Sequence, residues 1–175
     1  MENPGYEHKR HSLFIKLSAK KKHVLRAIFE DFGLDDLKDS FEHWKYASLT
    51  NEIGLYETGE ERRILLEFYD DVLRMFEAFF IQSGRRKRML KRLPAEYRKH
   101  WKKSDRCKAL SKEERRDTSQ VLLLFTKKYN RLYCIAEAID MLECVITSQS
   151  TDKWERESAI SLFLCLQAML NLAYG

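Results

Sequence analysis

The stretch TGEERRILLEFYDDVLRMFEAFFIQ, residues 58–82, decides the fold class. Leu65, Phe68, Tyr69, Val72, Phe76, Phe79 and Phe80 recur at spacings of three and four, while Arg63, Glu67, Asp70, Arg74 and Glu77 fall between them. That period places the apolar side chains on one face of an α-helix and the charged ones on the other, in water. Thr58 and Glu61 form a T-x-x-E capping box, in which each side chain satisfies an orphan backbone N–H at the helix start.

The pattern extends outward on both sides. Ser18 is placed to cap a helix through AKKKHVLRAIFEDF, with Gly33 at its C-terminal cap. Asp35 or Asp36 opens a second helix, LKDSFEHWKYASL. The leading helix fades at Ser83–Gly84 or runs on through the basic residues to Leu93. Pro94 disfavours helix at Leu93 and suits the first turn of a short helix, PAEYRKHWKK, in which Tyr97 and Trp101 pack inward. Ser111 and Glu114 form a second capping box. From there a single helix is expected to about Ser148, with Val121, Phe125, Tyr129, Leu132, Ile135, Ile139, Leu142 and Ile146 as its inner stripe. The last helix, 153–173, is apolar nearly all round, which places it inside a bundle.

Composition agrees. Six Gly and two Pro in 175 residues are too few for the tight turns of a β-rich fold. A chain of this length buries about 70% of its unfolded surface, so its core needs neither disulfide nor metal. The expectation is one all-α bundle of five to seven helices spanning 18–175, with a largely buried C-terminal helix and a basic, mobile arm over 1–17. Cys107, Cys134, Cys144 and Cys165 include no C-x-x-C pair and read as reduced thiols. The N-terminus lacks the apolar core of a secretory signal. The run Ala159–Tyr174 falls short of the roughly 20 residues of a membrane span. The expected location is cytoplasmic.

The net charge of +5 is segregated. Residues 1–26 carry +5, residues 27–84 carry −9, residues 85–116 carry +11 and residues 117–175 carry −2. Within RRKRMLKRLPAEYRKHWKK, residues 85–103, ten side chains are Lys or Arg and one is acidic. Arg grips a phosphate with a planar fork and Lys supplies point charge, so this window predicts a polyanion partner. The expected contacts are Arg85, Arg86, Lys87, Arg88, Lys91, Arg92, Arg98, Lys99, Lys102 and Lys103. Lys20, Lys21 and Lys22 join them if the first helix packs alongside. No recognition-helix, zinc-finger or RNA-binding-sheet signature accompanies them, so readout of base sequence is not expected, and DNA and RNA are equal candidates. Charge runs also serve solubility, or pair with acids in the same or a neighbouring molecule.

No catalytic constellation emerges. Neither glycine-rich phosphate loop occurs, and no cofactor or metal is expected. Asp35–Asp36, Asp70–Asp71 and Glu113–Glu114 read as helix-end or solvated acids. Glu96 and His100 lack a third ligand, and His8, His11, His23 and His43 read as arm or surface residues. Arg106 and Lys108 flank Cys107 and would lower its pKa. Arg92 and His100, in RLPAEYRKH, resemble the Arg-x4–6-His motif of the HEPN ribonucleases. Seven residues separate them here and Pro94 interrupts the helix, so the family is not adopted.

Three functions follow in order. The first is non-enzymatic nucleic-acid binding through 85–116 in a regulatory or accessory role. The second is a protein–protein adaptor or homodimer, using the basic segment against an acidic protein or the apolar C-terminal helix. Ribonuclease activity is a remote third.

Overall fold

The computed structural model describes residues 21–51, 55–98, 107–149 and 151–175, with backbone alone at 85, 86, 89 and 90. Among the described residues there are seven helices and no strand. They are α1 (Lys21–Asp31), α2 (Leu34–Thr50), α3 (Gly59–Gln82), α4 (Arg85–Arg92), α5 (Thr118–Lys128), α6 (Arg131–Thr147) and α7 (Lys153–Tyr174). The predicted Ser18 cap lies outside the described residues.

α3 is the axis of the bundle, with α1, α2 and α5 packed on it and α4 leaving from its end. Its start uses the predicted box: Thr58 Oγ1 accepts from Glu61 N–H at 3.2 Å and the Glu61 carboxylate accepts from Thr58 N–H at 2.8 Å. Every residue of its predicted apolar face is buried, from Leu65 to Phe80. Phe41 of α2 stacks on Tyr69 and meets Phe76 edge-on, and Phe29 of α1 meets Phe80 edge-on. Burying a side chain of this size contributes about 1.5–3 kcal/mol, so the stripe is the main reason the helices assemble.

α7 packs against α6, α2, α1 and α5, and buries Leu162, Cys165, Leu166, Met169 and Leu170. By length and composition it is sufficient to cross a membrane, contrary to the sequence expectation. Those buried residues lie against its bundle neighbours, but residues 153–158 are exposed, so the expected burial holds for one face of its C-terminal part and not for the helix as a whole.

Four local expectations are corrected. Gly33 does not close α1 with a left-handed residue: its φ is −64°, and its N–H donates to Asp36 Oδ2 at 3.1 Å as the lead-in to α2. The expected long helix is two. The Ser111–Glu114 box forms, but it supports only a turn before α5 begins behind its Asp117 cap. Tyr129 is extended, and Asn130 Oδ1 accepts from Tyr133 N–H at 2.8 Å to start α6. Tyr174 at the end of α7 donates its hydroxyl to the Tyr129 carbonyl at 2.7 Å, which satisfies the backbone at the break. The break also rotates the helix, so Leu132, Ile139 and Ile146 lie outside at 79%, 46% and 38% exposure. The inner face of α6 is Cys134, Glu137, Ala138, Met141, Cys144 and Val145.

Candidate nucleic-acid interface

α3 ends where its last carbonyls are taken by Ser83 and Gly84 N–H groups. Gly84 adopts φ +72°, the only positive φ among the described residues, and it redirects the chain into α4. Glycine enters this region without the Cβ clash other residues meet. α4 is RRKRMLKR, and among the described elements its substantial packing is against α3 alone. The chain then passes Pro94 and makes a helical turn at 95–98; residues 99–106 lie outside the described residues, and Cys107 and Leu110 are buried in the bundle.

The point of return is fixed by Glu77, which the periodicity assigns to the water face of α3. It is instead fully buried, at 0% exposure. Its Oε1 accepts from Lys38 Nζ at 2.6 Å and its Oε2 from Leu110 N–H at 3.1 Å. A buried carboxylate persists when it is both paired and hydrogen-bonded, and Glu77 is both. Next to it, Arg74 bonds Asp71 and Glu114, and Lys128 pairs with Asp71 at 2.8 Å. Burial opposes ionisation of Glu114, yet bonds from Ser111 N–H and Arg74 hold its carboxyl below the ordinary value. The basic excursion is therefore hinged on α3 at its start and bolted to α3 where it returns.

Among the predicted contacts, Lys87, Lys91, Arg92 and Arg98 are exposed. Arg88 is half-buried, its Nη2 without an acceptor among the described residues. Arg98 Nε donates to the Leu93 carbonyl at 2.7 Å, which holds this guanidinium against the Pro94 turn. The backbone of Arg85 and Arg86 lies in the first turn of α4. Lys99, Lys102, Lys103, His100, Trp101 and Lys20 lie outside the described residues. Tyr97, predicted to pack inward, is 58% exposed.

Lys21 and Lys22 reach the same region. The Lys22 side chain passes within 3.9 Å of where a Cβ on Gly84 would sit, and Lys21 Nζ stands 5.5 Å from the Phe79 ring centre. Lys21 also borders a shallow cleft with Gln82, Thr118, Leu122 and Thr126. Among the described residues no ion pair joins Lys87, Lys91, Arg92 or Arg98 to the acidic helices. Four acids of α3, Glu60, Glu67, Asp71 and Glu77, are instead paired with Arg63, Lys128, Arg74 and Lys38.

The remaining candidates have structural places. Cys107 is completely buried, so its cationic neighbours in sequence do not make it an accessible nucleophile. Asp35 and Asp36 occupy the first turn of α2. Among the described residues no three His, Cys, Asp or Glu side chains are grouped to hold a metal. No family model matches the chain, and neither a curated protein nor a solved structure matches it.

Proposed function

We propose that this protein is a non-enzymatic, nucleic-acid-binding helical bundle that contacts the phosphate backbone through the excursion 85–116. The observation that carries the reading is the excursion itself. Lys87, Lys91 and Arg92 are exposed on a helix whose substantial described packing is against α3 alone. Among the described residues those cations make no ion pair. A helix whose described cations Lys87, Lys91 and Arg92 lack an ion pair among the described residues suits a polyanion, and Lys22 beside Gly84 and Lys21 beside Phe79 widen the track. The mechanism is electrostatic: bound counterions leave the nucleic acid as Lys and Arg replace them. A regulatory or accessory role in a nucleoprotein assembly fits binding that does not read base sequence.

The test is an anisotropy titration with labelled random single-stranded DNA, duplex DNA and RNA at low and moderate salt. If six to ten phosphates are engaged, affinity falls by about 10³–10⁵ between 50 and 200 mM salt. Changing Arg85, Arg86, Lys87 and Arg88 together to Ser should abolish binding while circular dichroism stays unchanged. No binding to any of the three polymers at low salt overturns the proposal.

A further inference from the structure

α6 has two apolar faces, and the bundle covers one of them fully and the other only in part. Its inner side packs on α2 and α7. On the outer side Leu132, Ile139 and Ile146 stand exposed at intervals of seven, and between them Ile135 and Leu142 lean onto the core with part of each side chain still open. The spacing three-four-three-four over 132–146 is that of a coiled-coil seam, in which each apolar position fits between side chains of a facing helix. Single exposed apolar residues are ordinary, but a continuous stripe along a helix marks an interaction surface.

Charge decides what faces it. Glu143 and Asp140 lie along one flank of the stripe. Neither has an ion pair among the described residues, and Arg131 is the only cation of α6. Burial and the neighbouring Glu143 push the Asp140 carboxyl above its ordinary value, with no cation opposing them. A second copy of α6 paired antiparallel about Ile139 would bring two more acids and no cation to this flank, since its one cation, Arg131, lies at the helix end. A helix with basic flanks supplies the cations and covers the apolar stripe.

We infer that the outer face of α6 docks a cationic amphipathic helix of a protein partner, with Leu132, Ile139 and Ile146 filling the seam and Asp140 and Glu143 pairing with its Lys or Arg. This surface uses none of the residues assigned to nucleic-acid binding, so it stands whether or not the segment 85–116 binds nucleic acid.

The test uses the full chain and two labelled synthetic peptides. One is a helix of about three heptads with Leu at the seam and Lys at the flanking positions, and its twin has Glu for Lys. The expected result is binding of the Lys peptide and none of the Glu twin. Ile139→Asp should weaken binding at least about tenfold by setting a charge in the seam. Asp140→Asn with Glu143→Gln should weaken it about fivefold. Lys87→Ser with Lys91→Ser should leave it unchanged. Since Ile139 and Glu143 are exposed, melting curves by circular dichroism should overlay and separate lost docking from lost folding. The inference is overturned if neither peptide binds, if both bind alike, or if Ile139→Asp keeps full binding. It is also overturned if sedimentation shows a dimer that Ile139→Asp dissociates, because a second copy then occupies the face.

Discussion

Leu110 N–H donates to the Glu77 carboxylate at 3.1 Å, across thirty-three residues of chain. Between them, among the described residues, lie the end of α3, the turn at Gly84, the cationic helix α4 and the turn at 95–98. The same carboxylate holds Lys38 of α2, so one buried side chain ties the return of the excursion to two helices. Glu77→Ala should destabilise the fold by about 2–3 kcal/mol. That is below the 3–5 kcal/mol of a wholly buried pair, because Lys38 keeps a fifth of its side chain in water. Urea unfolding reads the loss. Hydrogen exchange at the Leu110 amide should accelerate more than at amides in the middle of α3. Uniform acceleration would show that Glu77 stabilises the bundle generally and does not anchor the excursion.

At the other end, Gly84 sets the direction in which α4 leaves. A Cβ there meets nothing nearer than the Lys22 side chain at 3.9 Å, so the objection to any other residue is conformational. An L-residue in the left-handed region costs about 1–2 kcal/mol. Gly84→Ala should therefore lower stability by about 1 kcal/mol once the smaller entropy of its unfolded chain is counted. If the α3–α4 turn tolerates it freely, with unchanged denaturation midpoint, then φ at 84 is not held positive in solution.

The helical class, the core face of α3 and the Thr58 box were legible because each depends on neighbours in sequence. Glu77 was not. Residues 63, 67, 70, 74 and 77 share a stripe by spacing, and nothing local distinguishes the last of them. It is buried because residues 107–110, a long way off in sequence, lie over that end of the stripe. Among the site residues, the sequence marked Lys87, Lys91, Arg92 and Arg98 by type alone, and Lys21 and Lys22 conditionally. The Gly84 hinge was legible as one of two possible ends of the helix, while the Glu77 anchor is a tertiary fact. For α6 the signal was present but ambiguous. The predicted stripe was right at Ile135 and Leu142, which lean onto the core, and wrong at Leu132, Ile139 and Ile146, because Glu137 and two cysteines interrupt the true inner face of Cys134, Glu137, Ala138, Met141, Cys144 and Val145. The Asn130 cap was the available clue to the break, since Asn favours helix starts over helix interiors.

That ambiguity yields a paired measurement. Met141 is fully buried on the inner face of α6 and Leu132 is largely exposed on the outer. Met141→Ala should cost about 2–5 kcal/mol, the lost burial plus the cavity left behind. Leu132→Ala should stay within about 0.5 kcal/mol. Similar costs for the two would mean that the outer stripe is covered in solution, by a partner copy or by another part of the chain.

The break itself is testable. Asn130 Oδ1 receives the Tyr133 N–H, so Asn130→Ala removes the N-terminal cap of α6 and should cost about 1 kcal/mol. Asn130→Asp keeps an acceptor and places a negative charge at the positive end of the helix dipole, so it should be neutral or slightly stabilising. Equal losses for Ala and Asp would show that the side chain is not capping.

Glu137 supplies the pH dependence. It is buried on α6, accepts from Tyr56 Oη at 2.9 Å, and has Tyr133, Asp140 and Cys134 as further titratable neighbours. Burial pushes its carboxyl above the ordinary value of 4.5, against the hydrogen bonds from Tyr56 and Tyr133 that favour the ion. The folded protein therefore binds this proton more tightly than the unfolded chain does. The stabilisation is complete below pH 4.5 and is lost as pH rises through the higher folded pKa. Glu137→Gln keeps an oxygen for the Tyr56 hydroxyl and removes the titration. Urea unfolding of both proteins in acid, at an intermediate pH and at neutrality should show the variant gaining on the parent as pH rises. Asp140 titrates in both proteins, so the difference isolates Glu137 apart from the mutual repulsion of the two carboxylates. The opposite trend, with the variant losing ground toward neutrality, would show that the tyrosine hydrogen bonds outweigh burial and that Glu137 is held as a stabilised anion.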